Sequence, residues 1–189
     1  AHLGIARNME WAQQNCLINH HVYLADTSQL KVGVTRIHQV PTRWIDQGAI
    51  QTISLAITPN RFLAGTIEVE LKKHVADKTQ WKAMLQNHKK TVDLVFEKQR
   101  ISKLVPEEYQ HFLNPDNTIY EFQYPFVHSV GVKQSINLDN TPAFEGILLG
   151  IKGQYLLFDN GIAFNVRKHA GYRVEIHIFE PSNKSTTLF

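Results

Sequence analysis

A single cysteine, Cys16, stands among 189 residues, which rules out internal disulfides and any cysteine-rich zinc cluster built from this chain alone. Long apolar runs are also missing. No stretch approaches the ~20 residues needed to cross a bilayer, and Ala1 to Glu10 lacks the basic and apolar regions of a signal peptide. The expectation is a cytoplasmic protein without a membrane partner. Internal repeats and long low-complexity segments are absent as well. With 43% hydrophobic residues and ten Phe there is ample material for a packed core, and the length allows one domain or two small ones.

Charge is unevenly placed. Residues 1–104 hold 14 Lys and Arg against 8 Asp and Glu, whereas residues 105–189 hold 6 against 9. The basic part also contains six of the ten His. A surplus of cations over about half a chain invites a polyanion, because each Lys or Arg that neutralises a phosphate releases counterions.

Hydrophobic patterning organises the chain. Residues 9–16 suit a short helix. Val22 to Ala25 and Leu30 to Thr35, joined by Asp26-Thr27-Ser28-Gln29, read as a β-hairpin. Pro41 and Thr42 start a helix that Gly48 ends, and Ala49 to Ile57 alternates as a third strand. From Arg61 to Asp77, Leu63, Ile67, Leu71 and Val75 recur every four residues, as on the buried face of a helix. Helix signals continue over residues 79–104, with a Lys-rich joint near Asn87 to Lys90. After Pro106, short β runs dominate: 122–126, 144–151, 154–158, 162–166 and 172–179, with Asp159-Asn160-Gly161 as a hairpin turn. The expected class is α+β. A three-stranded antiparallel sheet with flanking helices occupies residues 1–104, a linker 105–120, a barrel-like β module 121–180 and a flexible tail 181–189.

The order hairpin, helix, strand, helix places certain residues in a way that resembles the GIY-YIG nuclease superfamily. His21-Val22-Tyr23 stands for its first triplet, Lys31-Val32-Gly33 for its second, and Arg43 and Glu68 follow in order. The second triplet departs from the superfamily by beginning with Lys31 in place of Tyr. The resemblance implies phosphodiester chemistry in which Tyr23 works as or beside a general base, Lys31 and Arg43 contact the phosphate, and Glu68 holds Mg²⁺ or Mn²⁺. A helical wheel places Glu68 and Glu70 on opposite borders of the buried stripe, so only one of them can reach such a site. The phrases Val22 to Ala25, Leu30 to Thr35, Gln39-Val-Pro-Thr-Arg-Trp-Ile-Asp-Gln-Gly-Ala49, Lys73 to Asp77 and Gly150 to Tyr155 are similar to a bacterial family known as domain of unknown function 2797. Members of that family carry Cys pairs upstream of the region where this chain begins.

Lys72, Lys73, Arg167, Lys168 and Arg173 are candidate nucleic-acid contacts, the last three on the β module. His20, His21 and His38 have no zinc-like spacing and read as polar surface residues. Gly33 reads as a device for close backbone approach. Three functions follow in order of preference. The first is a protein that grips a nucleic-acid backbone without cleaving it, the second a metal-dependent endonuclease, and the third a protein-interaction module presented by residues 79–104. DNA and RNA are not distinguished by these residues, nor is an oligomeric state.

Overall fold

The computed structural model describes residues 1–86, 92–126 and 131–179. Its first sheet grows from the expected hairpin, β1 (His20–Asp26) and β2 (Leu30–Arg36), which pair antiparallel with Tyr23 opposite Gly33 and Leu24 opposite Val32. Asp26 fastens the turn: it is fully buried, and its carboxylate accepts from the Ser28 and Val92 backbone amides. Ser28 has φ 86°, the left-handed conformation such turns require. The sheet order is β2-β1-β3-β4, with β3 (Gln51–Thr58) antiparallel to β1 and β4 (Ile119–Glu121) antiparallel to β3.

Four strands thus replace the expected three. β3 would otherwise present an unpaired row of amides and carbonyls, and the Ile-Tyr-Glu segment at 119–121 satisfies part of it. Three residues are too few for alternation to announce a strand.

The helices take the two faces. α1 (Met9–Asn15) is capped by Asn8, and α3 (Arg61–Leu71) by Asn60, whose side chain accepts from the Leu63 amide at 3.0 Å. Apolar faces of α3 and of α5 (Leu94–Ser102) cover one side of the sheet, burying Val22, Leu24, Val32, Ile53 and Leu55 against Ile67, Leu71, Leu94 and Ile101. The opposite face is smaller. There α2 (Thr42–Asp46) lays Trp44 over Tyr23, Ala25 and Ala49. The helix from Arg61 ends at Leu71, short of the expected Asp77, and residues 72–75 turn so that Ala76 bridges Lys31 at the outer edge of β2. The stretch 79–104 divides into α4 (Trp81–Leu85) and α5; the Lys-rich joint at 87–90 lies outside the described residues.

Beyond the first sheet, a 3₁₀ turn spans Glu107–Phe112, inside the expected linker. The C-terminal module is a four-stranded open sheet of order β5-β8-β7-β6, built from β5 (Gln134–Ile136), β6 (Leu148–Lys152), β7 (Tyr155–Phe158) and β8 (Ile162–Asn165). It does not close into a barrel. The β7–β8 hairpin turns where Asp159-Asn160-Gly161 predicts, with Gly161 at φ 82°. Of residues 122–126 only Phe126 makes a bridge, to Gly150, and residues 172–179 pair with no strand among the described residues. Alternation alone cannot supply an edge to pair with. The tail 181–189 lies outside the described residues.

The C-terminal sheet docks on α2. Gly153, at φ 57° in the β6–β7 turn, comes so close that a Cβ there would stand 2.9 Å from the Asp46 carbonyl oxygen. Nearby, the Tyr124 hydroxyl donates to the carbonyls of Ile45 and Ala49. This junction carries the turn after β8 to the border of the first sheet, where the candidate site lies.

Candidate functional site

Tyr23 and Lys31 are neighbours on the α2 face of the hairpin, and one side chain ties them together. The Gln47 amide donates to the Tyr23 hydroxyl at 2.6 Å, and its carbonyl oxygen accepts from the Lys31 ammonium at 2.6 Å. The ammonium fixes the amide's orientation, since only the oxygen end can accept. Tyr23 therefore receives a hydrogen bond and keeps its own proton to offer elsewhere. Thr79 gives Lys31 a second partner at 3.3 Å. Gly33 makes room for this arrangement: a Cβ there would lie 2.6 Å from the Tyr23 hydroxyl oxygen.

Burial shifts both groups. Desolvation raises Tyr23 to about 12, so the phenol stays protonated at neutral pH. Lys31 falls to about 8, mainly through burial and next through the Arg43 guanidinium, with Asp77 and Glu68 opposing. The unfolded chain holds the Lys31 proton up to the ordinary lysine range, so this group's contribution to stability rises with pH from about 8 towards 10.5.

Arg43 and Glu68 act electrostatically on both Tyr23 and Lys31, so the four residues drawn from the sequence share one electrostatic neighbourhood. Glu70 faces another way: it pairs with Lys73 at 2.6 Å on the exposed side of α3. Glu68 is thus the acidic side chain of that pair nearer the site, and Lys72 stands 3.8 Å from it while also pairing with Asp77 at 3.2 Å.

The GIY-YIG resemblance implies a divalent cation on Glu68. Among the described residues no three of His, Cys, Asp and Glu come together as a metal-binding group. Glu68 already has a lysine beside it, with the cationic Lys31 and Arg43 in the same surroundings. That donor set does not fit a resident hard cation, which needs several oxygen ligands and a negative setting.

What the site does gather is positive charge. A cavity of about 390 Å³ opens beside β2, and Arg36, Arg43, Arg61 and Arg167 all line it, from four separate elements. Arg167 lies 3.8 Å from Asp46. Among the described residues, Arg36, Arg43 and Arg61 have no carboxylate at ion-pair distance; Arg36 instead lies over the Trp11 ring at 5.4 Å. His20 lines the same cavity and is fully buried. Its Nδ1 meets the Ile18 carbonyl at 2.8 Å and so carries a proton, while Nε2 has no partner among the described residues. A second cavity, of about 380 Å³ beside His21, Trp44 and Tyr120, is lined by no Lys or Arg.

Of the five basic residues expected to contact nucleic acid, Arg167 lines the arginine cavity and Lys72 borders the site through Glu68. Lys73, Lys168 and Arg173 do not line the cavity. Sequence reasoning misses Gln47, Arg36 and Arg61 and expects His20 on the surface, whereas the fold buries it fully beneath the cavity that it lines. A signal for Arg61 was present: it precedes Glu68 by seven residues, within about 20° on the same helix face.

No curated protein and no solved structure matched the chain. Residues 1–174 match the family described as protein of unknown function, DUF2797, and the chain belongs to that family.

Proposed function

We propose that this protein binds nucleic acid by its phosphate backbone at the arginine cavity, beside a GIY-YIG-like cluster in which Tyr23 and Lys31 are buried. The observation that carries this reading is the convergence of Arg36, Arg43, Arg61 and Arg167 on one cavity, three of them without a carboxylate partner among the described residues. Unpaired guanidinium groups repel one another and gain most from an anion that accepts their planar pairs of N–H bonds. The succession of hairpin, α2, β3 and α3 supports the GIY-YIG-like assignment. A phosphate beside Lys31 favours the charged amine and offsets part of its burial cost. Gly65 supports the same account: it lies on the Arg61 and Glu68 side of α3 with nothing within 4 Å of a would-be Cβ. A helical glycine that costs ~0.5–1 kcal/mol without a packing reason leaves backbone open to an approaching ligand.

A second reading, phosphodiester hydrolysis with an added divalent cation, is favoured by the gathering of Tyr23, Arg43 and Glu68. The cationic setting of Glu68 places it below binding.

Fluorescence anisotropy with labelled single-stranded and duplex DNA and RNA, at low salt, in EDTA and in Mn²⁺, tests both. At least one nucleic acid should bind more tightly than ~10⁻⁴ M in EDTA and emerge intact on a denaturing gel. Absence of any binding at that level sinks the proposal and leaves the protein-interaction function in its place. Mn²⁺-dependent cutting that Glu68→Gln abolishes would establish the hydrolytic reading.

A further inference from the structure

The arginine cavity holds one group that a running backbone does not use. His20 offers a buried Nε2 lone pair, because Nδ1 is committed to the Ile18 carbonyl. Burial, and then Arg61, Arg36 and His38, hold its pKa below the ordinary histidine value against the raising effect of the Ile18 hydrogen bond, which favours the neutral ring. The other charged groups lining the cavity are Arg43, Arg167 and Asp46. The matching ligand is an anion that itself carries an O–H. An internal phosphodiester has a single negative charge and no proton to donate. A phosphomonoester, with its second pKa near 6, carries up to two charges and, in its monoanionic form, a P–O–H.

From this, and resting on the nucleic-acid reading above, we infer that the cavity recognises a terminal phosphate: three arginines without carboxylate partners take its anionic oxygens, and His20 Nε2 accepts the proton of its P–O–H. The same chemistry is available from a free nucleotide, so the source has to be separated experimentally. Whether the proton resides on the ligand oxygen or on Nε2, the complex contains one shared proton that the dianion with neutral histidine lacks. The preference for a terminal phosphate should therefore fade as pH rises.

The test compares one oligonucleotide with a 5′-phosphate, a 3′-phosphate or hydroxyls at both ends, by anisotropy from about pH 5.5 to 7.5, with AMP as competitor. Taking the ratio of affinities at each pH cancels titrations that affect all ligands alike. At pH 6 one phosphorylated form should bind about tenfold or more tightly than the hydroxyl form, with the ratio shrinking towards pH 7.5. His20→Asn keeps an N–H donor for the Ile18 carbonyl while deleting Nε2, and should weaken the phosphorylated form more than the hydroxyl form, lowering the ratio towards one. Competition by AMP as strong as by the phosphorylated end identifies a nucleotide as the source and supports the terminal-phosphate site. Equal binding of all three oligonucleotides by wild type across the pH range overturns this inference and leaves backbone binding standing. Failure of every oligonucleotide and of AMP to bind overturns both.

Discussion

Replacing Arg36 and Arg61 together by alanine should weaken nucleic-acid binding about 10²-fold. Each guanidinium lines the arginine cavity without a carboxylate partner among the described residues, so its charge is available to a phosphate. A hydrogen bond to a charged group contributes roughly 1.5 kcal/mol or more, and each 1.4 kcal/mol is about tenfold in affinity. Neither change should unfold the chain: Arg61 opens α3 at an exposed position, and Arg36 is half-buried beside Trp11. Arg100→Ala is the control for charge alone. It removes one positive charge from α5, where Arg100 already pairs with Glu97 at 2.6 Å, and should change affinity by less than about threefold. A loss in the one-charge control about half, on a logarithmic scale, of that in the two-charge double variant would mean that net charge, and no built site, governs binding.

The largest effect on stability is expected at Trp44. It is 1% exposed and fills the space between α2 and the sheet, with ring centroids of Tyr23 at 5.7 Å and Tyr120 at 5.1 Å. Trp44→Ala should cost about 3–5 kcal/mol and lower the melting temperature by roughly 6–20 °C for a chain of this size. Because α2 also carries Arg43 and leads into Gln47, the same variant should lose binding. Trp44→Phe separates packing from polarity. The indole Nε1 is buried without a hydrogen-bond partner among the described residues, so phenylalanine removes an unpaired donor along with some volume. It should retain most of the stability, as followed by circular dichroism on heating. A Phe variant as damaged as the Ala variant would show that the indole nitrogen has a partner in solution.

Legibility from sequence followed the range of the forces involved. The hairpin, α2 and β3 were readable because turn chemistry and alternation are local, and α3 because its stripe repeats every four residues. Where a short segment is recruited by a distant edge, as with Ile119–Glu121 on β3, nothing in those three residues signals it. In the C-terminal module β6, β7 and β8 are readable from their apolar runs, whereas β5 lies in none of them, the runs at 122–126 and 172–179 form no strand, and the sheet stays open, since the order β5-β8-β7-β6 depends on which edges meet. Tyr23, Lys31, Arg43 and Glu68 came from a resemblance, and the structure places them in one electrostatic neighbourhood. Gln47, which joins two of them, has no chemistry that singles it out in a sequence. The arginine cavity is half legible: Arg43 stands out by resemblance and Arg167 by its basic cluster, while Arg36 and Arg61 enter it from a strand end and a helix start that only the fold brings together.

Backbone gripping by four arginines has a quantitative signature in salt. Each phosphate neutralised releases counterions, so the logarithm of the binding constant falls against the logarithm of salt concentration with a slope near −0.9 per contact on duplex DNA and −0.7 on single strands. The most direct measurement is that slope, taken by anisotropy from low to physiological salt for wild type and for the Arg36→Ala, Arg61→Ala double variant. The wild-type slope should be about −2.8 to −3.6, and the variant's should be shallower by about 1.4 to 1.8. A wild-type slope near zero, or the same slope in both proteins, would contradict the assignment of this cavity to phosphate.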